Sequence, residues 1–148
     1  MKRLFALFLV LMTVNCYAQK NSFIVVNKDA LKKLSNFKLK NKFMIESAIY
    51  QGLSVPGIQP KMNELLNKTA DDFIATVKEG ATEKKFQEDI KTGLKRFDPF
   101  YLNLDTEDRK KTCTYFEELM DCVGLASSGG QLNMWMYGFD PTKKTNVH

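Results

Sequence analysis

The chain has 148 residues, with 22 Lys and Arg against 17 Asp and Glu for a net charge of +5, and 44% of its residues are hydrophobic. That length suits one core, and that apolar content sets intrinsic disorder aside. The only histidine is His148, the last residue, so imidazole catalysis and His-bearing zinc sites are close to excluded.

Met1-Lys2-Arg3 is a charged start, Leu4 to Val14 an apolar run, and Cys16-Tyr17-Ala18 puts small residues at the −3 and −1 positions before Gln19. This is the layout of a secretory signal peptide. The expectation is that residues 1–18 are removed, leaving residues 19–148 as one helical domain with a frayed tail from Lys143 to His148, periplasmic or secreted. The apolar run is well short of the ~20 residues a bilayer span requires, and no later segment approaches that length, so no transmembrane segment is expected in the mature chain. Lipidation of Cys16 is disfavoured by Asn15, which stands where a lipobox has a small residue.

Without Lys2 and Arg3 the basic residues fall from 22 to 20 against 17 acids, a net +3, unevenly spread. From Gln19 to Lys61 eight lysines face Asp29 and Glu46, whereas the chain from Met62 onward is acidic by three. Packing of the basic third near the acidic remainder accounts for this. No RNP, zinc-finger or helix-turn-helix signature accompanies the lysines, so nucleic acid is not an expected partner. The segment from Lys28 to Lys42 has too few aromatics for an interfacial helix. Cys113 and Cys122 outlast the signal. Nine residues apart on one helix, they stand ~13.5 Å from each other, too far for a disulfide, and are read as free thiols, Cys113 buried and Cys122 on a flank.

Phe23 to Val26 is apolar and is read as extended or as a lead-in. Asn27 and Asp29 open a helix with Leu31, Leu34 and Phe37 on one stripe, and a second helical piece is expected from about Asn41 to Tyr50, presenting Phe43, Ile45, Ile49 and Tyr50. Gly52, Pro56, Gly57 and Pro60 mark a loop, with Pro60 suited to the first turn of the next helix. Met62, Leu65, Leu66, Ala70, Phe73, Ile74 and Val77 give the cleanest amphipathic helix, stopped by Gly80. Thr82 caps the next, with Phe86, Ile90, Leu94 and Phe97 inward until Asp98-Pro99. Phe100 to Leu104 leads to a helix capped by Asp105, with Glu107 and Asp108 in its first turn, Cys113, Phe116, Leu119, Met120 and Val123 buried, and Gly124 at its end. Ser127 or Ser128 is expected to cap a last helix carrying Leu132, Trp135 and Met136 inward before Gly138 and Pro141. The fold class is all-α, a single compact bundle of five or six helices.

Chemistry has few places to reside. There is no Cys-x-x-Cys, no P-loop and no Gly-x-Ser-x-Gly; no catalytic set, cofactor or metal is expected. Ser127-Ser128-Gly129-Gly130 reads chiefly as cap and turn, with an anion at its backbone donors as the sharper reading. Glu117, Glu118 and Asp121 stand at the negative end of their helix with no Lys or Arg three or four residues away, so a distant basic group such as the Lys28 to Lys42 segment, or a partner, has to meet them. Three clustered acids fall short of the oxygen ligands a hard cation needs. Trp135, the only tryptophan, lies in Asn133-Met134-Trp135-Met136-Tyr137, a cluster that serves a core or a recognition surface.

Asp105-Thr106-Glu107-Asp108-Arg109 through Glu117-Glu118-Leu119-Met120-Asp121, then Val123-Gly124-Leu125, Ser127-Ser128-Gly129-Gly130, Leu132-Asn133 and Trp135-x-Tyr137-Gly138-Phe139-Asp140, resembles a bacterial family of small exported proteins classed as a domain of unknown function. Pro56-Gly57-Ile58 and Gly93-Leu94-x-Arg96-Phe97 fit the same pattern. The resemblance implies a mostly helical fold and a bacterial origin, and brings no activity. The functional expectation is a protein-binding or accessory module whose partner is an envelope or secreted protein, with Glu117, Glu118, Asp121, Ser127, Ser128 and Trp135 as binding residues. The alternative is a carboxylate-dependent hydrolase using two of Glu117, Glu118, Asp121, Asp105 and Asp108 as acid and base.

Overall fold

The computed structural model describes residues 23–46 and 48–138; the signal-peptide reading of residues 1–18 and the frayed-tail reading of 143–148 lie outside them. Five α-helices fall in that range, α1 (Ala30–Leu39), α2 (Gln59–Glu79), α3 (Glu83–Lys95), α4 (Thr106–Val123) and α5 (Gln131–Tyr137), with a 3-10 turn at Asp98–Asn103 between α3 and α4. The chain is all-α. Among the described residues, the only β-type pairings are two isolated bridges, Phe23 with Thr82 and Glu46 with Tyr50.

Helix α2 is the hub. Its stripe of Met62, Leu65, Leu66, Ala70 and Phe73 is buried, and it packs against α1, α3 and α4, while α5 lies on α4 and α3. Pro60 sits in its first turn, and at Gly80 the chain turns with φ +116°, leaving Thr82 Oγ1 to accept the Lys85 N–H at 3.2 Å. Phe86, Ile90 and Leu94 of α3 meet this hub, with the Phe73 and Phe86 rings 5.2 Å apart. Each such side chain contributes about 1.5–3 kcal/mol by leaving water. Gly93 lets α3 come close: a Cβ there would lie 2.7 Å from Thr69 and 2.8 Å from Phe116.

At α4, the Asp105 carboxylate accepts the Asp108 N–H at 2.8 Å, and Gly124 closes the helix at φ +75°. Both cysteines are free, and Cys122 is buried rather than on a flank. In α1 the buried stripe is Ala30, Leu34 and Phe37; Leu31 is exposed. Phe23 to Val26 is extended, with Ile24 and Val26 against the core, Phe23 and Val25 in solvent, and the Ile24 N–H on the Ala81 carbonyl at 3.3 Å.

The expected helix from about Asn41 to Tyr50 does not form. Phe43 takes the left-handed backbone at φ +59°, which a helix cannot accommodate, and Glu46 and Tyr50 instead close a short loop. Two inward residues hold this segment. Phe43 donates its N–H to Tyr115 Oη at 2.8 Å, and the Tyr50 hydroxyl donates to buried Asp108 at 3.0 Å. Ile45 and Ile49, which suggested a helical stripe, are exposed.

Candidate binding face around the last helix

Helix α5 is seven residues long and carries no charge; its N-cap position is Gly130, and the expected serine contact comes from Ser128 two positions earlier, whose Oγ accepts the Leu132 N–H of the first turn at 3.5 Å. The serines order the turn before it. Ser127 Oγ accepts the Gly129 N–H at 3.0 Å, and the Ser128 carbonyl accepts the Gln131 N–H at 3.3 Å. With a helix this short and the Ser127 oxygen engaged, the anion reading of the Ser-Ser-Gly-Gly loop has no support.

On one flank of α5, facing α4, Glu117 and Asp121 stand one turn apart and join Ser127, Ser128, Met120 and Leu132 around a recess of about 470 Å³. Glu117 and Asp121 are exposed and make no ion pair among the described residues. Beside them, burial and then the Glu117 charge push the Cys113 thiol up to about 12, so this thiol is no nucleophile at neutral pH. Glu118 is not part of the recess. It projects toward α1, where Lys40 pairs with it, the distant basic group its position calls for.

On the other flank, α5 and α3 border a groove of about 600 Å³, open along its length and mostly apolar. Leu94, Met134 and Trp135 supply the apolar surface, and Lys84, Lys91 and Lys95 the cations. Trp135 is only partly buried. Its ring meets Tyr101 edge-on at 5.3 Å and Phe97 at 6.3 Å, and its indole N–H is buried without an acceptor among the described residues. Glu88 and Asp98 also line the groove, yet none of these five charged side chains forms an ion pair among the described residues.

The structure thus brings Glu117, Asp121, Ser127 and Ser128 together, sets Trp135 on the opposite flank of the same helix, and separates Glu118 from both. Sequence reasoning missed the groove lysines, because their spacing of seven and four along α3 is also that of an ordinary solvated stripe. Asp105 and Asp108 have structural roles, as cap and as the acceptor for Tyr50 and Ser54.

The sequence pattern of DUF4844, a domain of unknown function, matches residues 25–140. The chain belongs to the DUF4844 family. Its fold is shared with a crystal structure of a DUF3571 family protein from the bacterium Acinetobacter baumannii, which is 33% identical, with 74% of this chain and 89% of that one covered and a TM-score of 0.67. No curated protein matches the chain. The described residues of this DUF4844 domain contain no group of three or more His, Cys, Asp or Glu placed to hold a metal ion, and no helix long and apolar enough to cross a membrane.

Proposed function

We propose that this protein is an exported binding module whose partner, a protein of the envelope or the extracellular space, docks on the flanks of α5. The observation that carries the reading is the crowding around one short, uncharged helix: three recesses border it, two against α4 and one against α3, and five of the six residues singled out from sequence line them. A mixed face of Met, Trp and Leu rimmed by charge has the anatomy of a recognition surface. A carboxylate-dependent hydrolase has less behind it, since Asp105 and Asp108 are occupied within the fold and Glu118 is paired with Lys40.

The test is capture from an envelope extract by the purified protein, beside a Glu117→Lys/Asp121→Lys variant, a Met134→Glu variant and a Lys78→Glu control on α2, each checked for folding by circular dichroism. A protein captured by the wild type and the control, and lost with a variant on either flank of α5, supports the reading. Capture that ignores all of these substitutions, or no capture, counts against it. Export is tested separately by the intact mass of the protein recovered from expressing cells, which should begin at Gln19.

A further inference from the structure

Resting on the binding-module reading, we infer that the groove between α3 and α5 receives an acidic amphipathic segment of the partner, about three helical turns long. The groove is rich in donors and short of acceptors for them. Lys84, Lys91 and Lys95 are exposed and unpaired among the described residues, although Glu88 and Asp98 line the same groove. The opposite wall, α5, adds no charge of its own, so the groove carries one more cation than acid along an apolar surface of Leu94, Met134 and Trp135.

Spacing decides which acidic ligand fits. Lys84 and Lys95 are eleven residues apart on one helix, so at ~1.5 Å per residue their Cα atoms are separated by roughly 16.5 Å, with Lys91 between them. One carboxylate or phosphate head group on an acyl chain reaches one of these ammonium groups, or two, and leaves the rest unmatched. A peptide with carboxylates spread along one face meets all three, and an apolar stripe at helical spacing lays onto Leu94, Met134 and Trp135. The open form of the groove also suits a segment lying along it better than a small molecule, whose sites enclose most of its surface.

Trp135, as the only tryptophan, reports on its own groove through its fluorescence. The experiment titrates the purified protein with a Trp-free amphipathic peptide of about 15 residues, Leu on one face and Glu on the flanks, and with its twin carrying Lys for Glu. The inference expects a saturable shift in emission with the Glu peptide, weakened by added salt, and at least tenfold weaker binding of the Lys twin. Lys84→Gln/Lys91→Gln/Lys95→Gln should weaken the Glu peptide at least tenfold, and Lys→Glu at the same positions further still. Lys78→Glu, on α2 and outside both flanks, should leave it unchanged. Equal binding of both peptides, no saturable response, or indifference to the lysine substitutions overturns the inference. So does a response to oleate or to phosphatidylglycerol vesicles in place of the peptide, which would make the groove a site for amphiphiles. If the inference fails while capture from the extract is still lost with Glu117→Lys/Asp121→Lys, the partner docks on the α4 flank and the binding-module reading stands.

Discussion

Gly93→Ala places one methyl group where three helices meet. Alanine gains about 1 kcal/mol over glycine in a helix interior, so an uncrowded site would be stabilised. Here the new Cβ would lie 2.7 Å from Thr69 Cγ2 and 2.8 Å from both Thr69 Oγ1 and Phe116 Cε1. Neither neighbour yields easily. Both are completely buried; Thr69 Oγ1 donates to the Leu65 carbonyl at 3.0 Å and accepts from Arg96, and the Phe116 ring is set against Phe97. Overpacking of a full core costs about 1–3 kcal/mol, and contacts this short with fixed neighbours put it in the upper part of that range, about 2–3 kcal/mol, so a net loss of about 1–2 kcal/mol survives the helix-propensity gain. Urea unfolding followed by circular dichroism should show a lower midpoint with an unchanged slope. Lys91→Ala, on the exposed face of the same helix, should stay within about 0.5 kcal/mol of wild type. A Gly93→Ala protein as stable as wild type, or more so, would refute the close approach of α3 to α2 and α4.

Asp89 is half-buried with its carboxylate accepting the Thr76 hydroxyl at 2.8 Å, and burial holds its pKa at about 6 against an ordinary 3.8. The folded state therefore binds the proton more tightly than the unfolded chain, so the stability this group contributes is complete below pH 4 and is lost as pH rises through 6. Asp89→Asn should match wild type below pH 4 and be more stable by about 1–2 kcal/mol at pH 7, measured by thermal melts across that range. Lys42 is wholly buried, its ammonium bonded to Asn67 Oδ1 at 2.8 Å and lying 4.4 Å from the centre of the Phe37 ring, and burial lowers its pKa to about 8. Its folded form binds the proton less tightly than the unfolded chain, so wild-type stability should rise between about pH 8 and 10.5 relative to Lys42→Met, which lacks that titration. A flat difference between the two proteins would contradict this. Asp108→Ala leaves the Ser54 N–H and the Tyr50 hydroxyl without their acceptor and should cost about 3 kcal/mol in urea unfolding, against near-wild-type stability for Glu107→Ala.

Helical elements with a strong stripe and marked ends were legible in the sequence. The stripe of α2, the Thr82 and Asp105 caps and the Gly80 and Gly124 stops all stand where residue chemistry puts them. The segment from Asn41 to Tyr50 was not, because its apolar spacing mimics a helix while its conformation is imposed from outside, by Tyr115 on Phe43 and by Asp108 on Tyr50. Buried Lys42 was hidden for the same reason: its acceptors, Asn63 and Asn67, lie more than twenty residues further along the chain on α2. At the candidate face, the absence of local partners for Glu118 pointed to a distant base, and Lys40 is that base. The division of the face into two flanks depends on where α5 settles between α3 and α4, which no local pattern specifies.

The most direct test of docking at α5 is amide hydrogen exchange on the protein, free and saturated with the partner recovered by capture. Slowed exchange from Ala126 to Tyr137 and along the groove-facing turns of α3, with α1 and α2 unchanged, is the predicted result. Protection confined to α1, α2 or the loop from Asn41 to Tyr50, with α5 exchanging as in the free protein, would contradict the account.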